Sequence, residues 1–264
     1  MKRTWLTLTV LAFAAVFHGQ ALAQAATVDH FRCYLVPATS VMSTFVQLQD
    51  QFDAPTGVFE DITSLSVVRH CNPVEKIING VVTPIVNPNH HLVMFQINTQ
   101  PIVSRTVMVN NQFGTQTLAV AAPTILAVPS GKILPPGTPP APSPDLDHYK
   151  CYNASGPVVA NLAATLKDQF RTDTVGVIQP VLFCNPVEKI HGELISPIQH
   201  PAVHLVCYST SIVQFQTNII VQNQFFPNNR ELRVGSPDML CLPSSKLSWS
   251  VTGASGNAKP KTRR

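Results

Sequence analysis

The residues of this chain that suit metal chemistry occur twice, in two copies of one pattern. The matched pairs are Asp29 with Asp147, His30 with His148, and His91 with His204. Imidazole and carboxylate groups suit zinc or copper, so Asp29, His30 and His91 form a candidate ligand set. Their spacing fits no known metal motif, and histidines hydrogen-bonded at strand ends are the favoured explanation. A metal-binding periplasmic protein is therefore an alternative, with no metal ligand assigned.

The longest identical repeat is Cys-Asn-Pro-Val-Glu-Lys-Ile, which spans 71–77 and again 184–190. A residue before proline favours an extended backbone, and a disulfide at the cysteine would hold the start of the segment. Two interpretations follow: a structural corner, or a binding loop that displays its polar side chains. In the second interpretation the candidate binding residues are Asn72, Glu75, Lys76, Asn185, Glu188 and Lys189.

Paired carboxylates offer the one route to an enzyme that this sequence leaves open. Two acids need no fixed spacing in sequence to act together in hydrolysis. Asp50 with Glu75, or Asp168 with Glu188, would be such a pair. The serine-hydrolase elbow, the His-Glu-x-x-His zinc site and the phosphate-binding loop are all missing from the sequence. We expect a non-catalytic protein with no catalytic residue and no cofactor, and a secreted paired-carboxylate hydrolase is the enzymatic alternative.

The six cysteines predict disulfides, because cysteines of exported chains are usually oxidised in pairs. The first copy has Met94 and Ala127 where the second has Cys207 and Cys241. Since one copy lacks both members of this pair, those two cysteines are expected to bond to each other. The predicted bonds are Cys33–Cys71, Cys151–Cys184 and Cys207–Cys241. A rival pairing would join Cys151 to Cys241 and Cys184 to Cys207.

Matched motifs lie 112 to 118 residues apart, so each copy has the size of a common domain. The predicted organisation is a signal peptide over 1–23, a first repeat domain over 24–132, a proline-rich linker over 133–144, a second repeat domain over 145–247 and a basic disordered tail over 248–264. Lys2, Arg3 and an apolar run that ends in Ala-Leu-Ala are typical of a cleaved signal. A proline-rich linker favours an extended spacer. The two domains are therefore expected to be separate folding units with limited mutual contact.

The fold expectation comes from apolar residues that alternate along the chain, as Val46 and Leu48 do between glutamines. Period-two patterns of β-branched residues between turn signals predict strands. Hairpin turns are expected at 110–115 and 226–230. The sequence predicts an all-β chain with two tandem β-sandwich or small β-barrel domains.

The charge distribution argues against nucleic acid as a partner. The net charge of +4 comes from the predicted signal and from a tail with four basic residues, and without them the body carries about −2. A nucleic-acid binder needs clustered positive charge on its folded surface. The apolar run near the start is shorter than a spanning helix, so no membrane span is expected. The expected partner is an extracellular or cell-surface ligand of undetermined kind, and the sequence leaves the oligomeric state open.

The order of the motifs resembles an uncharacterised domain of exported proteins from environmental bacteria. The motifs are Asp-His-aromatic-x-Cys-Tyr, Asp-Gln-Phe, Cys-Asn-Pro-Val-x-Lys, Asn-Gln-Phe and a closing Pro-Ser-x-Lys. The resemblance covers 28–132 and 145–246 and implies a periplasmic or extracellular location. It implies no activity, ligand or catalytic residue. We therefore expect an exported, non-catalytic binding or surface module.

Overall fold

The computed structural model of the protein describes residues 28–41, 45–98, 103–160 and 162–252. The described chain is built of β-strands joined by turns and loops, which confirms the all-β prediction. The predicted signal peptide lies outside the described residues. In the described part of the chain there is no helix with the length and apolar character needed to cross a bilayer.

Among the described residues, ten strands belong to the first copy and eight to the second. The first copy contains β1 (Phe31–Ser40), β2 (Val46–Asp50), β3 (Glu60–Ile62), β4 (Leu65–Pro73), β5 (Glu75–Ile78), β6 (Val81–Thr83), β7 (Leu92–Ile97), β8 (Arg105–Asn111), β9 (Gly114–Pro129) and β10 (Gly131–Ile133). The second copy contains β11 (Tyr149–Ser155), β12 (Leu162–Lys167), β13 (Thr172–His191), β14 (Leu194–Ser196), β15 (His204–Thr210), β16 (Thr217–Asn223), β17 (Phe226–Val234) and β18 (Pro237–Val251).

The Asn-Gln-Phe motif forms the tip of the β8–β9 hairpin and of the β16–β17 hairpin. The Oδ1 atom of Asn111 accepts a hydrogen bond from the backbone N–H of Phe113 at 2.9 Å, and Asn223 makes the same contact to Phe225 at 2.9 Å. Asparagine favours such turns because its side chain can bond to the backbone two residues on. The turn expected at 110–115 is present. The turn expected at 226–230 is wrong, since those residues belong to β17.

Strands of the two copies pair with each other in both sheets, one of 15 strands and one of three. The pairs that join the copies are β1 with β18, β9 with β11, β2 with β13, β5 with β12, β8 with β18 and β10 with β16. The expectation of separate folding units with limited mutual contact is therefore wrong. An extended strand leaves its backbone N–H and C=O groups unpaired at its edge. In this chain each copy supplies the pairing that the other copy's edge strands lack.

The contacts between the copies are reciprocal. Phe31 of β1 lies opposite Cys241, and the equivalent residue Tyr149 of β11 lies opposite Ala127. The same correspondence relates the β2–β13 pair to the β5–β12 pair, and the β8–β18 pair to the β10–β16 pair. Each contact that the first copy makes on the second is thus returned by the second on the first. This is the pattern of a self-complementary dimer interface, built here within one chain.

This exchange creates two lobes whose cores are mixed in origin. The first lobe has its core between β1, β2, β4, β7 and β9, and the β16–β17 hairpin of the second copy closes it with Ile219 and Val221. The second lobe has its core between β11, β12, β13, β15 and β18, and the β8–β9 hairpin of the first copy closes it with Val107 and Val109. Neither copy completes its own hydrophobic core without the hairpin of the other.

A central cluster lies between the lobes and contains all six cysteines. The bonds are Cys33–Cys71, Cys151–Cys184 and Cys207–Cys241, so the structure brings together each of the three predicted pairs. Each pair joins residues directly opposite each other on neighbouring antiparallel strands. Met94 and Ala127 are likewise opposite each other and buried in this cluster. Every bond lies within one copy, so the copies hold each other without covalent links apart from the chain.

The proline-rich segment packs on the body instead of holding two domains apart. A Cβ atom added at Gly131 would lie 1.6 Å from the carbonyl oxygen of Pro140, so the segment runs directly over this glycine. The Nδ2 atom of Asn87 donates to the Oγ atom of Ser143 at 3.3 Å. At the other end of the chain, β18 continues through Val251, and its residues 248–251 pair with β8. The tail expected from residue 248 is wrong for these four residues, and 253–264 lie outside the described residues.

Candidate binding clefts

The Asp-Gln-Phe motif of the first copy is held by polar side chains of the second. The Oδ1 atom of Asp50 accepts the N–H of Phe52 at 2.7 Å, which closes a turn. Its Oδ2 atom accepts the hydroxyl of Tyr152 at 2.8 Å and the Nδ2 of Asn185 at 2.9 Å. Burial raises the pKa of Tyr152 well above its usual range, with a further contribution from Asp50. The tyrosine is therefore a permanent donor to the carboxylate.

The same motif of the second copy is held by the first. Asp168 accepts the hydroxyl of Tyr34 at 2.6 Å and the backbone N–H of Phe170 at 2.8 Å. The asparagine contact differs, because Asn72 uses its Oδ1 to bond the Nε2 of His70 at 2.9 Å. The repeated motifs thus meet across the copies, which gives them a structural role that their sequence alone does not reveal.

The hydrolase pairs are rearranged by this exchange. In the β5–β12 pair, Lys167 lies opposite Glu75, so Asp168 follows on the strand beside Glu75. In the β2–β13 pair, Asp50 lies opposite Val187, next to Glu188. In the structure, Asp168 therefore lies near Glu75 and Asp50 near Glu188, so each neighbouring pair of acids joins the two copies. The pairs predicted from the sequence each lay within one copy.

The Cys-Asn-Pro-Val-Glu-Lys-Ile segment lies within β13 in the second copy and spans the end of β4 and the start of β5 in the first, so the interpretation as a displayed loop is wrong. Its alternating polar side chains point inward: Asn72, Lys76, Asn185 and Lys189 are inaccessible to solvent. The partly exposed residues of the candidate set are Glu75 and Glu188. The polar members of this motif are mostly packed inside the protein because each strand has neighbours on both sides.

The two motif lysines are buried against neutral oxygen atoms. Lys76 donates to the Oε1 of Gln112, and Lys189 donates to the Oε1 of Gln224 and to the Oγ of Ser196. Burial lowers the pKa of both lysines to about 8. A buried ammonium group loses its hydration, and without a carboxylate partner little replaces that stabilisation. The charged form is therefore disfavoured, which lowers the pKa.

The candidate metal ligands serve other purposes. The carboxylate of Asp29 accepts the backbone N–H of Val86 and of Asn87 at 2.5 and 3.0 Å, and binds the Nδ1 of His90 at 2.9 Å. His30 is buried, and desolvation followed by the charge of Lys76 lowers its pKa to about 3. Across the described ranges no group of three or more His, Cys, Asp or Glu residues has the geometry to hold a metal ion.

Two clefts occupy equivalent positions at the Asp-Gln-Phe corners. The first cleft has a volume of about 580 Å³ and lies in the first lobe; the second cleft has about 430 Å³ and lies in the second lobe. The first cleft is lined by Pro73, Glu75, Pro84, Ile85, Pro88, Asn89, His91, Lys132, Lys167, Asp168 and Gln169. The second cleft is lined by Gln51, Pro201, Ala202, His204, Ser245 and Lys246. A glutamine, a proline, a histidine and a lysine are common to both at matching positions.

The lysine of the first cleft is a buried cation bonded to an uncharged group. Lys132 is 5% exposed, and its Nζ donates to the Oε1 of Gln169 and lies 4.7 Å from the ring centre of Phe170. No carboxylate of a described residue lies within 4.0 Å of this nitrogen. Burial lowers the pKa of Lys132 to about 8, although Asp168 opposes the shift.

The histidine of the first cleft is buried and incompletely bonded. His91 is 4% exposed, and its Nδ1 has no hydrogen-bond partner. Burial, together with the charge of Lys132, lowers the pKa of His91 well below its usual range. The ring is therefore neutral at physiological pH. A neutral imidazole has one donor and one acceptor nitrogen, so it can orient a ligand without adding charge.

The lysine of the second cleft is partly exposed and is bonded to an asparagine of its own copy. The Nζ of Lys246 donates to the Oδ1 of Asn185 at 3.2 Å and lies 4.7 Å from the ring centre of Phe52. The asparagine that receives this bond also holds Asp50. The equivalent asparagine of the first copy is Asn72, and its Oδ1 is bonded to His70. The residue of the second copy that corresponds to His70 is Phe183, which makes no such bond. One substitution between the copies thus changes where the cleft lysine is directed.

Of the candidate binding residues predicted from the sequence, Glu75 lines the first cleft, and Lys132, Gln169, Gln51 and Lys246 were not among them. His91 was predicted only as a possible metal ligand, and the closing Pro-Ser-x-Lys motif was given no role in binding. The usable signal was that Lys132 and Lys246 end the same motif in both copies. Their spatial association with Gln169 and Gln51 depends on the exchange between copies and is absent from the sequence pattern.

A family model described as a repeat of unknown function (DUF7450) matches residues 98–243, which is more than half of the chain. The chain belongs to this family of repeats. The matched region begins before β8 and ends in β18, so it contains both exchanged hairpins. Searches of curated proteins and of solved structures gave no match.

Proposed function

We propose that this repeat protein is an exported, non-catalytic binding module whose ligand site is the first cleft. The observation that carries the proposal is the buried Lys132 at the wall of a cleft of about 580 Å³. Ligand sites of small molecules are concave, largely preformed and furnished with a few placed polar groups. The first cleft combines this shape with a cation, a neutral imidazole and apolar walls.

Export is supported by the three disulfides, which suit an oxidising compartment. A binding module also needs a rigid frame, and the exchanged hairpins supply it. Glu75, Lys132 and His91 come from the first copy and Asp168 and Gln169 from the second, so the cleft exists only where the copies interlock. A site on such a frame needs little ordering when a ligand arrives.

A non-catalytic role is supported by the way in which the acids are used. Asp50 and Asp168 each accept a tyrosine hydroxyl and backbone N–H groups, which closes a turn and joins the copies. Hydrogen bonds of this kind fix a carboxylate in place and occupy its oxygen atoms. An acid committed in this way is a structural anchor.

The proposal is tested by a fragment screen on the full chain with its disulfides intact, read out by backbone amide chemical shifts. We expect hits whose shifts map to 84–91 and 167–169, the segments around the first cleft. The variant Asn89→Trp places a large ring at the exposed rim of the cleft and should remove those hits, and the equivalent change in the second cleft, Ala202→Trp, should retain them. A screen whose hits all map elsewhere, or that gives no hits, would contradict the proposal.

A further inference from the structure

We propose that the first cleft binds a small organic carboxylate, with Lys132 as its counter-ion. The inference rests on the proposed function, because it names the ligand class of the same cleft. A buried charge is costly unless it is paired, and the present partner of Lys132 is the neutral side chain of Gln169. A carboxylate in the cleft would supply the missing negative charge and a stronger, charge-assisted hydrogen bond.

The charges of the first lobe favour a ligand with one negative charge. Its polar cluster contains the cations Arg32, Arg171 and Lys132 and the anions Asp168 and Asp173. The cluster therefore has one cation more than it has anions. Both arginines bind Asp173, whereas the ammonium of Lys132 has no carboxylate of a described residue within 4.0 Å, so Lys132 is the cation that a ligand can pair with. One carboxylate balances this surplus, whereas a phosphate carries more negative charge than the cluster lacks.

The rim and walls of the first cleft suit the rest of such a molecule. The Nζ of Lys167 lies 4.0 Å from the Oε1 of Glu75, and the lysine side chain is 62% exposed. An ion pair this long and this exposed is weak, so Lys167 is free to contact a ligand. The apolar wall is formed by Pro73, Pro84, Ile85 and Pro88. These side chains suit a hydrocarbon or aromatic body attached to the carboxylate.

The second cleft provides a control within the same molecule. Its cluster contains the cations Lys150, Lys246 and Arg105 and the anions Asp50, Asp53 and Glu60, so the two signs are equal in number. Lys246 is held by Asn185, and no equivalent of the surplus charge is present. The second cleft is therefore expected to bind a carboxylate at least tenfold more weakly than the first, a difference of about 1.4 kcal/mol.

The test uses benzoate as the probe, with benzamide as its neutral analogue and inorganic phosphate as the alternative anion. The full chain is titrated at pH 7 by calorimetry and by amide chemical shifts. We expect one benzoate per chain at the first cleft, with benzamide and phosphate each at least about tenfold weaker. Benzamide that binds this cleft as well as benzoate would overturn the carboxylate assignment but leave the binding module standing. Tighter binding of phosphate would also overturn it.

The variants Lys132→Met and Lys246→Met separate the two clefts. Each removes one ammonium group and keeps an unbranched, apolar side chain of similar size. Lys132→Met should weaken benzoate binding at least about tenfold, and Lys246→Met should leave it unchanged. Equal losses in both variants would overturn the assignment to one cleft. If Lys132→Met fails to fold, Asn89→Trp carries the test, because its side chain is at the exposed rim and leaves the cluster intact; benzoate binding that survives this variant would also contradict the proposal.

The affinity for benzoate should fall as the pH rises above about 8. The groups facing Lys132 are Asp168 and Glu75, the cation Lys167, and the rings of His70 and His91. Burial lowers the pKa of Lys132 to about 8, and both histidines stay neutral above pH 6. Above pH 8 the cation is lost, so the affinity should drop about tenfold per pH unit. A constant affinity between pH 7 and 9.5 would contradict the role of Lys132.

Discussion

The two lobes have the same backbone plan and motifs but different buried charges. In the second lobe Lys150 pairs with Asp53 at 2.6 Å and with Glu60 at 2.7 Å. In the first lobe the equivalent positions are Arg32 and Arg171, and both bind Asp173, which Arg32 contacts at 2.6 Å. The reciprocal strand pairing fixes the frame, and substitutions inside it change the charge. The lobes have therefore diverged in their interiors while the contacts between copies were retained.

The largest effect is expected from removing the central cation of the second lobe. Lys150→Met leaves Asp53 and Glu60 buried without their partner, and breaking a buried ion network by removing one member costs about 3–5 kcal/mol. The matched change in the first lobe is Arg32→Met. This variant should lose less unfolding free energy, because Asp173 remains paired with Arg171. Urea unfolding of both variants measures the difference, and equal losses would show that the two networks are equivalent.

The disulfides give the next effect. Cys207→Ala with Cys241→Ala opens a loop of 34 residues in the second copy, and the chain-entropy account assigns about 3–4 kcal/mol to such a bond. The reverse change in the first copy is Met94→Cys with Ala127→Cys. Because these residues are opposite each other in register, the new bond should form without rearrangement. Peptide mapping under non-reducing conditions checks the bond, and thermal unfolding should show a higher midpoint.

A smaller effect, shared by the two copies, is expected from the motif lysines. The pKa of Lys76 and of Lys189 is about 8 in the folded protein and near 10.5 when unfolded. Between these values the unfolded chain binds more protons, so folding becomes more favourable as the pH rises. We expect urea midpoints to increase from pH 8 to 9.5, by up to about 1 kcal/mol per lysine since both amines contact partly solvated groups. Lys76→Met and Lys189→Met should each reduce this rise. The lowered lysine pKa values would be contradicted if wild-type stability fell over this range and the variants showed the same fall.

The smallest effect should come from cutting the connection between the copies. A protease site inserted at 137–138, which are exposed, would sever the first copy from the second. The exchanged hairpins and paired strands should then hold the halves together, because each core is completed by the other copy. Gel filtration should show one species of unchanged size, and separation under native conditions would contradict the interlocked arrangement.

Sequence reasoning succeeded where the cause is local or follows from the repeat. Alternation of apolar residues predicted strands, and the half-buried pattern of Val46 to Asp50 shows why. It failed for the separation of the copies, because the same alternation suits a strand whether its neighbour comes from its own copy or from the other. The alternative of a displayed binding loop is wrong for the same reason, because the sequence pattern does not reveal the strands that bury Lys76.

By itself the sequence determined the β character, the duplication and a cysteine pairing that needs only the alignment of the copies. These follow from side-chain periodicity and residue identity, which do not depend on partners distant in the chain. Only the tertiary structure decided which copy supplies each strand and hairpin, and therefore that Lys132 of one copy meets Gln169 of the other at a cleft. Backbone hydrogen bonding is the same for any extended strand, so the choice between copies depends on side-chain packing in the assembled core.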